Sequence, residues 1–247
     1  MDETIIGFTI PGVEHQPYVI RPWVGSKYES QKLRIVAHGD SYWASEGDQE
    51  PYSWGAWCRG AKEGTLGDTT CGQIGSVVAG GHTGTADESG PSQLHTQMYA
   101  GVVKAISGRK EIGASDVRTV FEKIAFNNYV HVPMRKSDEE PTPEQMLMAH
   151  KVYIRELSSA ELCRPHLSLV FVKRVWNSLE GGREVDGVTV NGVTRQMWLY
   201  ELPAGPVLVG WLKHPASYWR NNGWRDDVEI PIAQAYIQAA AVYHGVA

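Results

Sequence analysis

Three places in the chain set chemically capable side chains directly after an apolar, β-rich run. Gly39-Asp40-Ser41 follows Leu33-Arg34-Ile35-Val36-Ala37-His38, Asn127-Asn128 closes Ile124-Ala125-Phe126, and Lys213-His214-Pro215-Ala216-Ser217 follows Pro206-Val207-Leu208-Val209-Gly210-Trp211-Leu212. A carboxylate, an amide and an imidazole, if they converge, can orient water, read a heteroatom edge and stabilise developing charge. That set suits a hydrolysis. Each residue also has a plainer reading. Asn128 fits a strand-end turn, where asparagine tolerates left-handed backbone; His214 fits a loop histidine bonded to backbone; His38 fits a strand-end histidine.

The elements around them decide whether they meet. Leu94, Met98, Val102 and Ile106 recur at helical spacing behind Pro91-Ser92, with Gly108 as a stop, and a second short helix is expected from Ser115 to about Lys123. Thr142-Pro143-Glu144-Gln145 starts a third: Thr142 caps, proline takes the first helical position, and Gln145 can reach back to the cap. Met146, Ala149, Tyr153 and Leu157 give that helix one apolar face. Leu167 to Val172 reads as a strand, Lys173 to Leu179 as a short helix, Asn191-Gly192 as a hairpin turn flanked by Val188-Thr189-Val190 and Val193, and Pro231 to His244 as a final helix. Strands alternating with helices predict a mostly parallel sheet covered on both faces, whose ligands bind at the carboxyl ends of the strands. The expected fold is therefore α/β, a three-layer α/β/α sandwich around a mostly parallel four-stranded sheet. One domain spans 1–247, with a long, glycine-rich, loop-rich insertion over about 44–90.

Composition narrows the function. Hydrophobic residues at 42% and charged residues at 21% are globular values. No apolar run is long enough for a membrane span, and Met-Asp-Glu-Thr is acidic where a signal peptide is basic, so a cytoplasmic protein is expected. Cys58, Cys71 and Cys163 form no close pair, so neither a metal nor a cofactor is expected. A net charge of −5 argues against a protein that coats nucleic acid, because phosphate binding scales with positive charge, yet a local basic cleft remains open. Basic residues gather at Arg135-Lys136, at Lys173-Arg174, and at Lys213 with Arg220 and Arg225.

The run Ile-Ala-Phe-Asn-Asn-Tyr-Val from Ile124, Pro-Thr-Pro-Glu-Gln from Pro141, Leu-Val-Phe-Val-Lys-Arg-Val-Trp-Asn from Leu169, and His214-Pro215-Ala216-Ser217 together resemble the uracil-DNA glycosylase superfamily, in its diverged branch with a Gly-(Asp/Glu)-Ser first motif. About half the chain takes part. The resemblance implies a monofunctional DNA glycosylase that hydrolyses the N-glycosidic bond of a flipped-out pyrimidine and leaves an abasic site, working on single- or double-stranded DNA as a monomer. It makes His214 the donor to the pyrimidine oxygen, Asn128 the reader of the base edge, and Asp40 the residue that orients water. Tyr42, Trp43 and Phe126 become base-pocket walls. Gly39, Ser41, Lys173, Lys213, Pro215, Ser217, Tyr218 and Arg220 become DNA contacts, with Tyr218 or Trp219 as the wedge.

The first motif departs from the common pattern, in which the aspartate stands two residues after the glycine. Here Asp40 comes one position early and Ser41 takes its place. With the long insertion, this points to a base larger than uracil, such as a hydroxymethylated or glucosylated pyrimidine of phage DNA, and so to an antiviral role; plain uracil repair is the alternative. A rival reading makes Gly39-Asp40-Ser41 the nucleophile block of a GDS-type esterase with Ser41 attacking and His214 as base. That class needs an aspartate three residues before the histidine, and the position is Trp211. A third reading is a DNA-binding protein that has lost catalysis.

Overall fold

In the computed structural model the described residues are 22–43, 93–134, 140–159, 163–217 and 223–247, without the side chains of 42–43, 93–96 and 132–134. The expected insertion over about 44–90 lies outside them. Seven strands form one sheet: β1 Trp23–Val24, β2 Ile35–Trp43, β3 Ala125–Met134, β4 Leu167–Val170, β5 Arg183–Val190, β6 Val193–Leu202 and β7 Gly205–Trp211. The helices are α1 Gln93–Ser107, α2 Ala114–Phe121, α3 Pro143–Ser158, α4 Lys173–Ser178 and α5 Asp226–Tyr243, with a 3-10 turn at Pro215–Ser217.

Across the sheet the order is β1-β3-β2-β4-β7-β6-β5. The pairs β3–β2, β2–β4 and β4–β7 are parallel, while β1–β3, β7–β6 and β6–β5 are antiparallel. This overturns the expected four-stranded, mostly parallel sheet: it is seven-stranded and mixed, and half of its six pairings are antiparallel. Two tight turns account for two of the three antiparallel pairs, and the third is the short β1 laid against β3. Asn191 and Gly192 take φ of 50° and 75°, the left-handed pair a two-residue hairpin needs, and join β5 to β6. Leu202 pairs with Gly205 across Pro203-Ala204, joining β6 to β7. Turns this short can only connect antiparallel neighbours.

Both faces of the sheet are covered, so central strands are apolar on both sides. Ile35, Ala37, Leu167 and Leu169 pack with Val102 of α1, Phe121 of α2 and Tyr236 of α5; Val36, Val170 and Val209 pack with Tyr153 and Leu157 of α3 and Trp176 of α4. Burial of each large side chain contributes roughly 1.5–3 kcal/mol. Alternation along β2 then sends His38 and Asp40 toward α3 and α4, and Gly39 toward α1.

Local signals hold where their partners are local. Thr142 Oγ1 accepts from the Gln145 N–H at 3.2 Å and Gln145 Oε1 accepts from the Thr142 N–H at 2.7 Å, closing the expected cap of α3. α5, by contrast, begins five residues before Pro231. Asp226, Asp227 and Glu229 suit a positive helix end, and the bond lost at Pro231 is offset by the burial of Ile230, Ile232 and Ala233.

Candidate functional site

The strand extents shift the chemistry-bearing residues relative to their elements. β2 runs through Gly39, Asp40 and Ser41, and β3 through Asn127 and Asn128, so these residues lie within strands that were expected to stop beside them. The register nevertheless fixes their level. Asn127, His38, Val170 and Trp211 form one row across β3, β2, β4 and β7, and Val170 and Trp211 are the last residues of β4 and β7. Asn128 pairs with Gly39 one residue further on, level with the carboxyl ends of those two neighbours.

Gly39 is required by that pairing. A Cβ there would lie 2.2 Å from Asn128 Oδ1 and 3.3 Å from Phe126 Cζ, so the Asn128 amide rests on the bare backbone of β2. Asn128 is 9% exposed. Phe126 is buried, meeting Tyr99 and Phe121 edge-on at 5.4 and 6.3 Å between ring centres, and it forms the floor under this pair. Asp40 is held by Arg174 of α4: Arg174 Nε donates to Oδ1 at 3.0 Å and a terminal guanidinium nitrogen donates to Oδ2. Burial raises the Asp40 pKa above the ordinary carboxylate value, and Arg174 pulls against that shift. Ser41 is half-buried opposite Val130. The side chains of Tyr42 and Trp43 lie outside the described residues.

The loop after β7 is tied down from within. His214 Nδ1 accepts from the Ala216 N–H at 3.1 Å, which leaves the proton of a neutral ring on Nε2. Ser217 donates through Oγ to the His214 carbonyl and accepts from the Trp224 N–H at 3.3 Å, so the hydroxyl expected to meet a phosphate also closes the loop. Pro215 is buried against α1, where a Cβ on Gly101 would come within 2.1 Å of its Cγ. Tyr218 and Arg220 lie outside the described residues.

Beside this loop opens a cavity of about 640 Å³, lined in part by Lys173, Lys213, His214 and Ser217. Gly39, Asp40 and Asn128 are not among its lining residues, so the expected site divides into a strand pair and a cavity. Arg195 of β6 was missed by the sequence reading; it lies 4.4 Å over the Trp211 ring and donates to Glu229 at 3.1 Å. Glu229 is buried and also accepts from the Lys213 backbone N–H at 3.1 Å. With Arg225 the cavity is lined by four cationic side chains and one carboxylate; Arg195 pairs with Glu229 and Arg225 with Asp227, whereas neither Lys173 nor Lys213 has an ion pair among the described residues. The local charge opposes the −5 of the whole chain.

A second missed feature lies behind β2 and β3. His38 bonds through Nε2 to Glu156 Oε2 at 3.0 Å and through Nδ1 to Ser168 Oγ at 3.2 Å, Tyr153 donates to Ser168 Oγ at 3.0 Å, and Asn127 Nδ2 donates to Glu156 Oε1. His131 Nε2 lies 3.4 Å from Asn127 Nδ2, and burial pushes the His131 pKa down to about 4. The signal for Glu156 was present. It stands three residues after Tyr153 and one before Leu157, on the apolar face of α3, where an acidic residue demands a buried partner.

Among the described residues no cluster of three His, Cys, Asp or Glu side chains could hold a metal ion, and no helix is long and apolar enough to cross a membrane. Cys163 is a buried thiol whose pKa burial pushes well up. No known protein family and no curated protein matches the chain.

Proposed function

We propose that the chain is a monofunctional DNA glycosylase acting on a flipped-out pyrimidine. The observation that carries this reading is the cross-sheet row: Gly39 and Asn128 lie one residue beyond it on β2 and β3, and His214 lies three residues beyond it after β7. The parallel strands β3, β2 and β7 thus carry an amide, a backbone cradle and an imidazole close to one level, that of the carboxyl ends of β4 and β7, where ligands of such sheets bind.

In this reading the Asn128 amide, seated on Gly39, donates to and accepts from the edge of the base. Nε2–H of neutral His214 donates to the pyrimidine oxygen that gathers charge as the bond between C1′ and the base nitrogen breaks. One preorganised donor of this kind is worth roughly 10²–10³ in rate. The base leaves with the electron pair of the broken bond, water adds to C1′, and the proton the water loses ends on the released base by way of solvent; Asp40 orients the water with the lone pairs that Arg174 does not take. Lys173 and Lys213 in the cationic cavity take backbone phosphates.

For the base, the early Asp40 and the Ser41 beside it favour a bulky pyrimidine, hydroxymethylated or glucosylated, over plain uracil. DNA carrying uracil, 5-hydroxymethyluracil, 5-hydroxymethylcytosine or its glucosylated form is incubated with the protein, treated with alkali and examined for strand breaks. Breaks at the modified base, reduced about 100-fold or more by His214→Ala, are expected. Release of no base from any substrate overturns the reading.

A further inference from the structure

Glu156, His38 and Ser168 are the residue types of a hydrolytic triad, but each is 1% exposed or less and no substrate can reach them. Their bonds point instead at the two strands of the candidate site. Glu156 uses one carboxylate oxygen for His38, the residue before Gly39, and the other for Asn127, the residue before Asn128. The Asn127 amide can then be oriented only one way. Nδ2 faces the carboxylate, and Oδ1 accepts the Asn128 backbone N–H at 3.0 Å. On the other side, with His38 Nε2 donating to Glu156, Nδ1 accepts from the Ser168 hydroxyl, whose oxygen accepts from Tyr153. No other helix reaches both strands with a carboxylate among the described bonds.

We propose that Glu156 is a positioning residue for the base-reading amide: through Asn127 it fixes the Asn128 backbone, and through His38 it fixes the level of Gly39, against which the Asn128 side chain rests. The proposal rests on the glycosylase reading for its effect on rate, and on the hydrogen bonds alone for its effect on Asn128. A displaced reading group costs rate without costing affinity, because phosphate contacts hold the DNA and only a well-seated base reacts.

The test uses the full chain and the substrate base that the unaltered protein releases. Glu156→Met removes both acceptors at similar volume; Glu156→Gln keeps one for Asn127 while His38 changes tautomer to accept from the new amide. Glu156→Met is expected to slow single-turnover base release about 30-fold, to leave the DNA Kd within about threefold, and to speed hydrogen exchange of the Asn128 amide by at least about tenfold. Glu156→Gln recovers most of the rate. The double variant Glu156→Met with Asn128→Ala is expected to be no slower than Asn128→Ala, because both act through one group. If the two losses multiply, if Glu156→Gln is as slow as Glu156→Met, or if the Asn128 amide keeps its protection, the proposal is overturned. Should Glu156→Met not fold, Asn127→Ala, which spares the Glu156–His38 bond, is held to the same rate, affinity, exchange and double-variant outcomes. If the unaltered protein releases no base, the glycosylase reading fails, and the exchange measurement still decides the wiring.

Discussion

Behind β2 and β3, a carboxylate, two imidazoles and an asparagine share a dry space, and Glu156 and His38 each bond through both of their polar side-chain atoms. Beside β6 and β7, four cationic side chains line a cavity; Arg195 and Arg225 have carboxylate partners, and Lys173 and Lys213 have none among the described residues. Both groups are dense in ionisable residues, and both sit next to the same cross-sheet row. Their difference lies in what compensates the charge. In the first, burial makes every unmatched group costly, so the protein matches its own groups and gains a fixed geometry. In the second, solvent and counter-ions carry the imbalance until an anion replaces them. The dry group can hold; the wet one can bind.

The comparison breaks first at Glu156. Glu156→Met strands the His38 Nε2–H and the Asn127 Nδ2–H in the interior, and a loss of about 3 kcal/mol is expected from urea unfolding. A loss below about 1 kcal/mol would mean that the dry group holds nothing. His131 gives the next largest effect. Its pKa is lowered to about 4 in the folded state against 6.5 unfolded, so the unfolded chain binds the extra proton between those values and stability falls as pH drops from 6.5 toward 4. The fall is expected to approach about 3 kcal/mol. His131→Gln flattens that part of the stability–pH curve.

Gly39→Ala tests the meeting of the two regions. The added methyl group cannot share space with Asn128 Oδ1, and a cost of about 1–3 kcal/mol, with base release slowed about 100-fold, is expected. Equal rates for the variant and its parent would separate Asn128 from the chemistry. The smallest effects on stability belong to the cavity. Lys173→Ala and Lys213→Ala are expected to change it by less than about 0.5 kcal/mol, while each lowers the slope of log affinity for DNA against log salt by about 0.9. A lysine whose loss destabilises the fold and leaves the salt slope unchanged belongs with the dry group.

What could be read from the sequence divides along the same line. The cap of α3 and the hairpin at Asn191-Gly192 were legible because each is settled within four residues. The continuation of β2 through Gly39, Asp40 and Ser41, and of β3 through Asn127 and Asn128, was not. These stretches look like the start of a turn until Glu156, supplied by a helix far along the chain, gives His38 and Asn127 buried partners, while the Asn128 side chain packs on Gly39. The run of β6 beyond Val193, as far as Leu202, was missed for a similar reason. Arg195 reads as a surface charge, and only its place over Trp211 and against Glu229 makes it part of a buried layer. His214 and Asn128 were singled out by type and by the runs before them, which carried no information on Arg174 and its grip on Asp40.

The hairpin that makes the sheet mixed also decides how it ends. β5 is its last strand and would offer a free row of N–H and C=O groups to any other extended chain. It carries Arg183, Glu184 and Asp186, and its register slips between Val185 and Val188, where a Cβ on Gly187 would strike the Arg195 carbonyl at 2.3 Å. Charge and an irregular ladder together deny a second molecule a straight edge to zip onto. The rim of the sheet thus guards against edge-to-edge aggregation.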